Sequence, residues 1–230
     1  MAASARFAGF NPAALRLLAQ LAKHNDRAWF APRKERFVAE LIEPMAALVE
    51  DASAALARAN IPIGGDRKRS MFRIYRDVRF SADKSPYKTH LSAYLSYDGG
   101  RETPGGIYVH IAPGASFLSA AFYRIDKSML RRWRERMAAR PAEFTRVLSA
   151  LAKRGLAIDG PEVADDSLAR PARGFEAYAR GELAPYFRLR SFCAGRDLSD
   201  AQVTTPDLVG RIVQLARDAK PLLAYGWSLE

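Results

Sequence analysis

The chain has 230 residues, nearly half of them hydrophobic, enough for one large domain or two small ones around a sizeable core. Its net charge of +11, from 36 basic and 25 acidic side chains, directs attention to anionic partners. A single cysteine, Cys193, excludes an internal disulfide and fits a reducing compartment; no apolar run is long enough to span a bilayer, and MAASARFAGF lacks the apolar stretch of a secretory signal, so a cytoplasmic protein without a membrane partner is expected.

The first predicted element is a helix in FNPAALRLLAQLAKHN, with Asn11 as cap, Pro12 at the first helical position and Leu15, Leu18 and Ala22 on one face. NDRAWF interrupts that pattern with two large aromatics, Trp29 and Phe30. His24 reads as a helix-end residue satisfying a carbonyl. A second helix is expected from near Pro32, where Phe37, Leu41, Met45, Leu48, Ala52, Leu56 and Ala59 recur every three or four residues. Pro44 falls inside that stripe and should kink or divide the helix, because it lacks a donor and crowds the preceding turn. NIPIGGD then supplies turn chemistry.

The period next changes to two. MFRIYR is expected as a strand, with Phe72 and Ile74 on one side and Arg73 and Tyr75 on the other. SADKSPYK reads as a loop. In THLSAYLSY, His90, Ser92, Tyr94 and Ser96 share one face and Leu91, Ala93 and Leu95 the other. GIYVHIAPG alternates again, opposing Ile107, Val109 and Ile111 to Tyr108 and His110, and SFLSAAFYRI is a fourth strand. Short connections imply antiparallel neighbours, with one apolar face under helices and one polar face.

From Asp126 the pattern is helical. DKSMLRRWRERM and PAEFTRVLSALAKRG are two helices divided at Arg140-Pro141 and ended by Gly155; DDSLARPARGF is a loop. TTPDLVGRIVQLARDAKPLLAYGW carries a cap at Thr205 and a stripe of Leu208, Ile212 and Leu215. Helices, then a meander, then helices predict a single α+β domain over residues 1–230, with an antiparallel sheet of about four or more strands and helices packed on one face.

Charge is not spread evenly. Residues 67–90 hold eight basic and two acidic side chains, residues 124–140 hold seven and two, and these stretches carry the whole excess. The first contains RIYRDVRFSADKSPYKTH. Guanidinium forks at Arg73, Arg76 and Arg79, point charges at Lys84 and Lys88 on either side of Pro86, and His90 are candidate ligand-binding groups for a phosphate or carboxylate, with Asp77 and Asp83 holding them in place. The bland alternative is an internal salt-bridge network, although exposed pairs contribute only about 0–1 kcal/mol each. His90 and His110, on neighbouring strands beside Tyr94 and Tyr108, are the candidate acid–base groups; with Asp77 they would make two imidazoles and a carboxylate, but no metal-ligand spacing is present and no metal or cofactor is assigned. The second stretch reads as a solvated helix face, with Arg131 and Glu135 at spacing four and Trp133 and Met137 turned to the core. No Walker loop, GxGxxG or GxSxG elbow occurs, and Cys193 reads as a buried thiol.

NDRAWF followed by Lys34, then RIYRDVRFSADKSPYKTH, YVHIAPG and RPARGF, through to KPLLAYG, resembles the bacterial and fungal family known as domain of unknown function 2461. The resemblance implies a single α+β domain and no established activity. Two places depart from the family pattern: SAAFYRI has Ala120 and Ala121 where a paired glycine and a tryptophan are usual, and RLRSF has Arg190 where lysine is common. The functional expectation is a cytoplasmic protein, with enzymatic activity left open, whose partner is an anionic small molecule. The alternatives are a non-catalytic nucleic-acid binder using both basic stretches, and a scaffold in which the motif is architectural.

Overall fold

A computed structural model describes residues 6–79, 82–100, 103–159 and 166–229. Asn11 caps α1 (Pro12–Lys23) by accepting from the Ala13 amide, as its place before proline predicts. The buried face is Ala14, Leu15, Leu17, Leu18 and Leu21; Ala22 is exposed, so the stripe runs one position earlier than expected. NDRAWF is itself helical. Asp26 accepts from the Trp29 amide and starts the single turn α2 (Arg27–Phe30), and a 3-10 turn, Ala31–Arg33, leads into α3 (Lys34–Phe37).

The break expected at Pro44 takes a specific form. A π-helical stretch, Val38–Ile42, precedes α4 (Glu43–Arg58), so that Pro44 sits in a first turn where its missing donor is not needed. The stripe survives the break: Phe37, Leu41, Met45, Leu48, Ala52 and Leu56 are all buried, while Ala59, at the helix end, is only half-buried. Each fully buried Leu or Phe of such a stripe contributes about 1.5–3 kcal/mol.

The sheet has four antiparallel strands in the order β1 (Leu91–Ser96), β2 (Gly106–Ile111), β3 (Ser116–Phe122) and β4 (Phe192–Leu198), with helices before and after it, so the chain is α+β. The expected apolar face is buried, at Leu91, Ala93, Leu95, Ile107, Val109 and Ile111, and burial alternates along β2; in β1 Ser92 and Ser96 of the polar face are buried as well. Two strand assignments need correction. MFRIYR is not a regular strand. Among the described residues it bridges the chain at Met71–Ala93 and Tyr75–Tyr87. Arg76 donates its amide to the Pro86 carbonyl, and Pro86 has no N–H to return, so the ladder breaks there. The strand unforeseen in the sequence is β4, which carries the buried Cys193.

Contacts gather the chain into two compact units, Met1–Thr103 with Tyr108–Leu118 and Asp197–Gln214, and Pro104–Ile107 with Ser119–Arg196 and Leu215–Glu230. In the first, α4 lies against β1. In the second, α5 (Lys127–Ala139) is capped by Asp126 and buries Trp133, whose ring stacks on Phe192 at 4.1 Å and meets Phe122 edge-on at 5.0 Å. α6 (Pro141–Ala152) follows at Arg140, and Phe144 packs against Tyr225. A further short helix, α7 (Asp200–Val203), opens with a Ser199–Gln202 capping box. The predicted C-terminal helix is two, α8 (Leu208–Asp218) and α9 (Lys220–Trp227), divided where Pro221 begins the second; Leu208, Ile212 and Leu215 are buried as expected, but the Thr205 hydroxyl donates back to the Gln202 carbonyl instead of capping.

Ala120 and Ala121 are buried in β3. Close approach beside them is supplied from elsewhere in the same unit. A Cβ at Gly226, or at Gly105 with its φ of +83°, would overlap the Phe122 ring.

Candidate functional site

The opening motif is anchored from a distance. The Asn25 side chain donates to the Tyr87 carbonyl (2.9 Å) and accepts from the Tyr87 amide (3.0 Å), so NDRAWF and SPYK are clamped together. Phe30 stacks on Tyr87 at 4.1 Å, and Tyr75 packs on Tyr87 at 5.4 Å. Two of the stretches that carry the family resemblance therefore form one local structure, a link that sequence reasoning missed.

Along 72–79 burial alternates strictly. Phe72, Ile74, Arg76 and Val78 are half-buried; Arg73, Tyr75, Asp77 and Arg79 are exposed. Spacing three in a period-two segment reverses sides at each step, so Arg76 faces away from Arg73 and Arg79. Arg79 forks Asp77 (2.9 and 2.7 Å), and that fork holds the Asp77 carboxyl down at about 2. Arg73 acts on the same carboxylate electrostatically. Lys84 donates to the Val78 carbonyl at 2.9 Å. Arg76 pairs with Asp83, whose carboxyl is pushed well below its ordinary range first by hydrogen bonds from Ser85 and then by Arg76.

A different set converges on the sheet face opposite Ile107, Val109 and Ile111. Lys88, whose charge acts on His90, lies over the Phe72 ring at 5.4 Å. His90 stacks on His110 with ring centroids 4.2 Å apart, and His110 stacks in turn on Phe117 at 4.7 Å, a ladder of rings crossing from the lead-in of β1 through β2 to β3. Tyr108 packs on Phe117 and Phe72, and its hydroxyl lies 3.4 Å from His110 Nδ1. Both imidazoles are half-buried. His90 is pushed down to about 4, by burial first and then by the positive charges of Lys88 and Arg76; His110 is pushed down to about 4 by burial and then by His90. Both rings are neutral at pH 7, each with one N–H to donate and one lone pair to accept.

Of the predicted ligand-binding residues, Arg76, Lys88 and His90 thus come together beside His110. Arg73, Asp77 and Arg79 lie on the outward side, and Lys84 on the loop. Phe72, Tyr108 and Phe117 complete the face; Phe117 was legible only as the residue opposite Leu118 in SFLS. Among the described residues no group of three His, Cys, Asp or Glu side chains is placed to hold a metal. No described helix is long and apolar enough to cross a membrane.

The second basic stretch is largely consumed by the protein. Arg131 pairs with Glu135, and Arg136 forks Glu143 at 2.8 and 2.7 Å. Arg134 is not on a solvated face at all: it is buried and donates to the Phe187 and Leu189 carbonyls at 3.1 and 2.8 Å. Arg190 lies 3.7 Å from Asp166. His24 stacks on Trp29 at 5.7 Å, and the His24 backbone amide donates to Gln20.

Fold and face together define an α+β protein whose antiparallel sheet carries a stacked imidazole pair among aromatic and basic side chains. The chain belongs to the family described as conserved hypothetical protein (DUF2461), which matches residues 13–225, the family that the sequence resembles. No curated protein and no solved structure matches the chain.

Proposed function

We propose that this protein binds a phosphate- or carboxylate-bearing small molecule, in the cytoplasm, at the face where Arg76, Lys88, His90 and His110 meet, with the imidazoles as its acid–base groups. One observation carries this reading: the charges that act on His90 are both positive, those of Lys88 and Arg76. A half-buried, aromatic-walled face with that electrostatic character attracts an oxyanion, and two neutral imidazoles offer it N–H donors. Thermal shift with inorganic phosphate, sugar phosphates, nucleotides and polyphosphate tests it. A ligand that raises Tm is expected to lose its effect in Arg76→Ala and Lys88→Ala and to keep it in Arg79→Ala. If none of these compounds moves Tm, the reading fails; if only single-stranded nucleic acid binds, with affinity falling steeply in salt, the alternative of a nucleic-acid surface takes its place.

A second reading has its own support. The Arg79–Asp77 fork, the Arg76–Asp83 pair and the Lys84–Val78 bond favour an internal network that ties Arg76–Arg79 to Asp83 and Lys84. Under it, Arg76→Ala unfolds or loosens the protein; under the first, the fold survives and the ligand response goes.

A further inference from the structure

The stacked imidazoles add something to anion binding that cations alone would not. Two rings 4.2 Å apart cannot both be charged at low cost, so the pair behaves as one site for one proton. The groups facing His90 are Lys88 on its own segment, Arg76 on the neighbouring extended segment and His110 on β2; those facing His110 are His90, Tyr108 on its own strand and Phe117 on β3. Lys88 and Arg76, the latter paired with Asp83, both oppose protonation of His90 while the face is unliganded. An oxyanion lodged against Lys88 and His90 reverses that sign, and a protonated ring gives it two N–H donors in place of one.

We propose, on the strength of the anion-site reading above, that the protein takes up its oxyanion together with one proton, held by the His90–His110 pair. The site then selects compact oxyanions of high charge density, of which phosphate and sulfate esters are the chemical class, and binds them more tightly as pH falls. Proton balance is simple: one proton leaves bulk water and resides on an imidazole nitrogen of the complex, and returns on release.

Sulfate is the probe, because it keeps its full charge across the range and any pH dependence belongs to the protein. Isothermal titration of the full chain with sulfate between pH 7.5 and 5 is expected to show affinity rising toward tenfold per pH unit in the lower half of that range. In buffers of different ionisation enthalpy at pH 6, uptake should approach one proton per sulfate. The His90→Gln/His110→Gln double variant, checked for fold by circular dichroism, should bind more weakly and without the pH slope. Sulfate bound with pH-independent affinity and no proton uptake overturns proton coupling and leaves the anion site standing. No binding of sulfate or inorganic phosphate at any pH overturns both. If the double variant does not fold, the buffer series on the natural chain decides alone.

Discussion

Acid should weaken this fold through the imidazole pair, and by an amount that can be worked out. In the unfolded chain His90 and His110 take up protons near the ordinary 6.5; in the folded protein they resist to about 4. The unfolded state therefore binds more protons between these values, so their contribution is complete above pH 6.5 and is lost as pH falls toward 4. At about 1.4 kcal/mol per pH unit, moving from pH 6.5 to 5 costs about 2 kcal/mol for each ring. The rings keep partial solvent contact, which screens about half of this, leaving about 2 kcal/mol for the pair. The paired carboxyls of Asp66 and Asp77, held at about 2, stay ionised throughout this window and do not mask the effect. Urea unfolding followed by tryptophan fluorescence at pH 7 and pH 5 should show the loss, and His90→Gln/His110→Gln should remove most of it. Equal stability at the two pH values, or an undiminished loss in the double variant, would refute the argument that burial and the two neighbouring cations keep these rings neutral.

Three other outcomes follow from single contacts. Asn25→Ala should cost about 2 kcal/mol in urea unfolding, since it orphans both the amide and the carbonyl of Tyr87; Asn25→Asp, which keeps only the acceptor, should fall between. Arg134→Met should cost about 2–4 kcal/mol because two buried carbonyls lose their donor, whereas Arg132→Ala on the exposed side of the same helix should stay within about 0.5 kcal/mol. Gly226→Ala should lower Tm, at about 1–3 kcal/mol, through overlap with Phe122.

The elements most legible in the sequence were those whose signals are local. Asn11-Pro12 starts α1, Asp126 starts α5 and Pro141 starts α6 because capping and proline chemistry are decided within one turn. The alternation of GIYVHI gave β2 and its buried Ile107, Val109 and Ile111 directly. FCAGRDL gave nothing comparable. It holds Gly195 and Asp197, both poor strand formers, and its burial does not alternate; pairing at the β3 edge makes it a strand. Conversely MFRIYR has good alternation but faces a proline, and a partner's missing donor cannot be read from the strand itself.

The candidate site divides along the same line. Counting charges in RIYRDVRFSADKSPYKTH groups every cation together, yet side-chain direction in extended backbone is set by parity. Arg73 and Arg79 are odd-numbered with Asp77 and go outward; Arg76 is even-numbered with Phe72 and goes toward the ring face. Parity is legible in the sequence wherever the backbone is extended. The meeting of His90 with His110 and Phe117 needed strand order as well, and the Asn25 clamp needed the fold. Thus a motif that looks like one basic cluster combines two physical jobs: outward pairs at small energetic gain, and an inward group, Arg76 and Lys88, whose positive charges both act on His90 and help keep it neutral.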